Sequence, residues 1–241
     1  VSIERRPTVP AMRAFLEVDL VDPKQAVILI PLKKVGAFER FCVAHELAHY
    51  LVYLGFKISP EGKAEYWQHE GLCDDFARHL LMPEAAMKEI NLFAGSGLKV
   101  CDSLARDAWV PWTQAGIRIT GMDRRFIFSR VRRVGRSGFE VFATSRGDGR
   151  GRGRPIEEGS PFGKALSALE GKCSAEPENL PEEAALDALK ALSFDGRMHP
   201  AVQIRYAGDE FRVCIQPGSG DTEGHRDSDA REYPVENQRA A

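Results

Sequence analysis

Residues 40–51 read Arg40-Phe-Cys-Val-Ala-His45-Glu46-Leu-Ala-His49-Tyr-Leu51. On a 3.6-residue wheel Phe41, Ala44, Leu47, Ala48, Leu51 and Val52 share one face, which predicts a buried amphipathic helix over 38–54, with Gly55 placed to cap its end. Within that helix His45 and His49 are four positions apart. Their imidazoles therefore stand one turn apart on one side and can grip a single divalent ion, with Glu46 alongside to handle protons. The blander account is two helix histidines edging an apolar face, so the rest of a site has to be found elsewhere in the chain.

A catalytic ion needs a third protein donor and an open fourth position for water. Glu70-Gly-Leu-Cys-Asp74 offers one on a second helix expected over 65–81, with Leu72, Cys73, Phe76, Ala77 and Leu80 turned inward and Pro83 stopping it. Glu70 is the preferred ligand. Asp74 follows four residues later on the same face, where it can accept the N–H of an ion-bound imidazole and fix its tautomer. His69 and Asp75 are the competing donors, although His69 projects about 100° from Glu70, toward the apolar side. Cys42 lies within about 60° of His45 on the wheel, one turn earlier, and is either a small buried apolar residue or a thiol close to the ion.

The remaining chain is organised around these helices. Gln25-Ala-Val-Ile-Leu-Ile-Pro31 is a β-branched run ended by proline and reads as a strand. Residues 84–120 look like short helices. Leu104 to Arg118 has the cadence of helix, turn, helix, read here as a pair packed on the core because Trp109 and Trp112 suit burial. Beyond Gly121 the period becomes two: residues 125–131 with 138–144 suit one hairpin, and 201–206 with 211–215 a second around Gly208-Asp209. Helical patterns lie between them at 163–169 and 182–192. The fold class expected is α+β: a mostly helical core over 1–120, a smaller α+β domain over 121–217, and a disordered tail over 218–241.

Composition narrows the function classes. The chain has 241 residues, 43% of them apolar and 28% charged, which excludes collagen-like and wholly disordered chains. Its net charge of −2 hides a segregation: residues 124–154 carry a net +8 and residues 155–241 a net −8. The arginine-rich stretch, with its glycine-arginine loop at 146–154, is compatible with nucleic-acid contact, but strand arginines alternating with apolar residues are also what a solvated sheet face looks like. No stretch approaches the roughly 18 apolar residues of a membrane span, and the first residues lack the apolar run of a secretory signal, so a cytoplasmic location is expected. Five scattered cysteines without a C-x-x-C pair suggest reduced thiols.

Arg40-Phe-Cys-Val-Ala-His-Glu-Leu-Ala-His-Tyr-Leu51 followed by Glu70-Gly-Leu-Cys-Asp-Asp-Phe-Ala-Arg-His-Leu-Leu-Met-Pro83 resembles the two motif blocks of the ImmA/IrrE metallo-endopeptidases. The likeness covers about residues 25–120. It implies a zincin-like core in which His45, His49 and Glu70 bind Zn²⁺, or alternatively Mn²⁺, Glu46 is the general base and Asp74 supports a ligand. It also implies a substrate class, helix-turn-helix repressors whose cleavage derepresses stress-response or mobile-element genes. Nothing before residue 30 fits a helix-turn-helix, so the target is expected to be a separate polypeptide. Cys42 and Cys73 stand where relatives usually carry a small or hydroxyl residue. The likeness further implies substrate pairing along the strand at Val27 and Ile28, and it leaves Tyr50, Tyr66, Arg78 and His79 as candidates to stabilise an oxyanion. The back half is expected to be a GAF-like or other sensing or substrate-selecting unit. The competing expectation is a zinc-bound switch that binds a repressor or DNA without cutting it, and Glu46 separates the two because only hydrolysis needs it.

Overall fold

The computed structural model describes residues 1–217 except 8, 10–13, 20, 23–24, 33–35, 57–62, 93–94, 136–137, 146–152, 173, 175 and 193–200, with the backbone alone at 53 and 63–68. Most of the glycine-arginine loop and the whole tail from 218 therefore lie outside the described residues.

The apolar run near residue 28 forms β3 (Ala26–Pro31), the middle strand of a three-stranded sheet. β1 (Ser2–Arg6) pairs with it in parallel and β2 (Phe15–Val18) antiparallel, with Leu16 opposite Ile28. Ile28 and Ile30 pack with Ala14 and Leu16 against Cys42, Val43 and Leu47, which seats helix α1 (Ala37–Phe56) on the sheet. Arg5 of β1 clamps the start of α1 through Glu39 at 2.6 Å and also donates to the Pro31 carbonyl at 2.8 Å. α1 runs through Gly55 instead of ending there, since an interior glycine costs only about 1 kcal/mol against alanine.

Helix α2 (Lys63–Leu81) lies antiparallel to α1, because His45 meets Asp74 while His49 meets Glu70. Small residues set their approach: Cys73 and Ala77 are completely buried, Ala77 against Phe41 and Ala44. The expected inward faces are too wide. Leu51, Leu72 and Leu80 are 45%, 53% and 49% exposed, because the contact runs along the small residues and leaves the leucines on its flanks.

A short α3 (Glu84–Lys88) follows Pro83, then α4 (Gly97–Asp107) and α5 (Trp112–Met122). The second half is a six-stranded antiparallel sheet of β4 (Ile127–Val134), β5 (Gly138–Thr144), β6 (Pro155–Glu157), β7 (Glu178–Asn179), β8 (Ala201–Ala207) and β9 (Glu210–Gln216) in the order β6-β5-β4-β9-β8-β7. The β8–β9 hairpin turns through Gly208-Asp209 with Gly208 at φ 78°, the left-handed conformation that a tight two-residue loop requires. α6 (Pro161–Leu169) and α7 (Glu182–Ala191) cover one face over Val131, Phe139, Phe211 and Val213, while α4 and α5 cover part of the other over Phe128 and Cys214.

The fold is thus α+β, with helices on both faces of the large sheet. One core joins Met82 and Met87 to Leu98, Trp112 and Ile119 and then to Phe126, Phe128 and Cys214. The boundary expected near residue 120 runs through that core. Charge segregation in the sequence becomes pairing in the fold: Arg130 pairs with Glu210, and Arg133 with Glu158 and Glu170, acids from the negative segment. Among the described residues no helix is long and apolar enough to cross a membrane.

Candidate metal centre

α1 and α2 bring together the residues that the spacing singled out. His45 Nε2 and His49 Nε2 lie 3.0 Å apart, and the two Glu70 oxygens lie 3.2 Å from His45 Nε2 and 3.2 Å from His49 Nε2. Bonds of 2.0–2.1 Å in tetrahedral directions hold ligand atoms about 3.3 Å apart, so each of these separations is close to that of two ligands sharing one ion. His45, His49 and Glu70 form a group able to hold a metal ion. The competitors for the third position fall away: His69 is not part of the group, and Asp75 is paired with Arg78 at 2.7 Å.

The surroundings suit such an ion. His45 Nδ1 is 2.8 Å from Asp74 Oδ1, the expected partner that fixes the tautomer and leaves Nε2 free for the metal. Arg78 is buried and holds Gln114 Oε1 and Asp75 Oδ1, each at 2.7 Å, with its Nη1 3.9 Å from Asp74. It therefore braces the support of His45 from behind. Burial works to lower the His45 pKa, but the Asp74 hydrogen bond and the carboxylates of Asp74, Glu70 and Glu46 carry it upward; His49 is pushed down, first by burial and then by His45.

Glu46 is 9% exposed and stands beside these donors. Burial is the main force raising its carboxyl to about 7, with Glu70 adding repulsion, while His45 and a hydrogen bond from the Leu16 N–H pull the other way. A carboxyl titrating near neutrality can both accept and return a proton. Next to it opens a cleft of about 290 Å³, apolar at Phe38 and Phe41 and polar at His45, Glu46, Asp74 and Gln114.

Two contacts of the site were not foreseen from the sequence. Cys73 Sγ lies 3.4 Å from His49 Nδ1 and takes for His49 the place that Asp74 takes for His45. Leu16 reaches Glu46 from β2, a strand with no periodicity in its four residues. Cys42 lines the cleft as its position on the wheel suggested, but burial and nearby carboxylates push its thiol up to about 11 and that of Cys73 up to about 12. The metal-free surroundings thus disfavour a thiolate at both positions.

The expected substrate residues need correction. Both edges of β3 are taken, by β1 and β2, and Ile28 is 1% exposed, so neither Val27 nor Ile28 has a free edge to offer. Among the described residues β1 and β2 are the outer strands of this sheet. Tyr50 is buried and does not line the cleft. His79 is exposed and bonded to the Asp75 carbonyl at 2.8 Å and to Arg118, away from the metal group, and the Tyr66 side chain lies outside the described residues.

No family model and no curated protein matches the chain. The reading of the site therefore rests on its geometry.

Proposed function

We propose that the chain is a zinc-dependent endopeptidase with a zincin-like front half and a GAF-like back half. The observation that carries this is the grouping of His45, His49 and Glu70, with the two Nε2 atoms 3.0 Å apart and one Glu70 oxygen 3.2 Å from each, and Glu46 beside it, outside the group. Zn²⁺ is preferred for a two-histidine, one-carboxylate set, and Mn²⁺ is the alternative occupant. Bound there, the ion supplies polarisation of the scissile carbonyl and acidification of water. Glu46 takes the proton of the attacking water and returns it to the leaving amine. Asp74 and Cys73 hold the two imidazoles, and the cleft at Phe38 and Phe41 accepts an apolar side chain next to the scissile bond. An extended substrate lies along β2, whose Leu16 N–H already reaches Glu46.

The resemblance in the two motif blocks makes a helix-turn-helix repressor the substrate class of this proposal and the cytoplasm its place. The test compares new protein amino-termini in host cells expressing the wild type or Glu46→Gln, with metal content measured on both purified proteins. The expected outcome is one or a few repressors with new termini in the wild type only, while both proteins bind zinc. Identical profiles with zinc bound to both would overturn proteolysis and favour the non-cutting switch.

A further inference from the structure

A second cleft of about 520 Å³ opens where the start of α1 and the turn between α4 and α5 meet β8 and β9. It falls within the usual 300–1,000 Å³ of small-molecule sites. Its floor is a charge cluster. Asp102 of α4 accepts hydrogen bonds at Oδ1 from Arg205 Nη2 at 2.7 Å and Arg212 Nη1 at 3.0 Å, while its buried Oδ2, 2.6 Å from Arg205 Nη1, accepts none among the described residues. Arg205 Nε and Arg212 Nη2 keep N–H groups with no acceptor among the described residues. Arg106, a third lining arginine, pairs with Asp107 at 3.0 Å. The cleft is thus lined by three arginines and one aspartate, with Asp107 and Glu210 outside the lining pairing Arg106 and Arg212.

The walls are aromatic. Trp112 is 8% exposed, lies under the Arg212 guanidinium at 5.2 Å, and its indole N–H finds no acceptor among the described residues. Trp109 is 48% exposed and sits at φ 50°, the one non-glycine residue with positive φ among those described. It follows the last turn of α4, its N–H bonded to the Arg106 carbonyl and that of Val110 to the Ala105 carbonyl. This is the position where helices place glycine, because a side chain there costs of order 1 kcal/mol. Burial does not repay that strain, since half of the indole faces solvent. The sequence reading expected both tryptophans to be buried, and only Trp112 is.

We propose that this cleft binds a small aromatic acid: a flat ring on the Trp109 indole and a carboxylate on the spare donors of the lining arginines. Trp109 then holds a costly conformation to present a stacking face. The site is independent of the metal centre and of the reading given to it.

Isothermal titration calorimetry of the full chain with indole-3-carboxylate tests this, with indole and acetate titrated separately as its two halves. The joined acid is expected to bind with a Kd of about 1 mM or tighter, and each half at least about tenfold more weakly. Trp109→Gly is expected to weaken binding at least about tenfold while its melting temperature holds or rises, because glycine relieves the positive φ. Trp109→Phe should retain binding and Trp109→Leu should lose it, a comparison that stands even if the glycine variant folds poorly. No saturable heat up to about 10 mM, or equal binding by the wild type and Trp109→Leu, overturns the proposal.

Discussion

Glu46 sits between two opposed demands: it has to be negative to take a proton, yet it is packed where a negative charge is costly. Its carboxyl ionises at about 7 in the fold against an ordinary 4.5, chiefly because it is buried. Between those values the native state holds a proton that the unfolded chain has released, so stability falls as pH rises through the window. Metal-free Glu46→Gln should therefore match the wild type near pH 4.5 and exceed it at pH 8 by on the order of 3 kcal/mol, an upper bound set by the full shift. Thermal melts in chelator at the two pH values check this, and an equal offset at both would contradict it. At this scale the ligands were legible because a helix fixes what four residues of spacing means: His45, His49, Glu70 and Asp74 all meet as their positions require. Cys73 and Leu16 were not. Their contacts depend on how far α2 rolls against α1 and on which strand lies beside β3, and neither is encoded in one segment.

Among the elements, α5 offers a paired test of packing against propensity. A Cβ on Gly116 would stand 2.8 Å from Phe128 Cβ and 3.1 Å from Phe128 Cγ, whereas one on Gly121 in the same helix meets nothing within 4 Å. Gly121→Ala should stabilise by about 0.5–1 kcal/mol through helix propensity alone. Gly116→Ala gains the same propensity but has to push α5 off β4, and the strain of about 1–3 kcal/mol makes it destabilising overall. Urea unfolding midpoints of the two variants should move in opposite directions. The helices and hairpins that repeat an apolar period appear close to where the periodicity places them, α6, α7 and the β8–β9 turn included. The strands without a period do not announce themselves. β1 is exposed along its whole length and carries Glu4, Arg5 and Arg6, and its existence depends on a parallel partner more than twenty residues away.

For the whole molecule, the core shared by α4, α5 and the large sheet makes the two halves interdependent. A fragment of residues 1–122 would leave Leu98, Cys101, Ala115 and Ile119 without Phe126, Phe128 and Cys214. It is expected to lose cooperative melting or to aggregate, as seen by calorimetry and size-exclusion chromatography; a sharp transition at the temperature of the full chain would refute the shared core. The order of the strands has a consequence for biosynthesis. β9 is the last strand described, yet it seats in the middle of the sheet beside β4, with Ile215 opposite Ile127. As the chain leaves the ribosome, α1 and α2 emerge long before the strand that closes the core behind them. An open sheet edge at β4 waits in the meantime, the kind of surface that chaperones cover and that aggregation exploits.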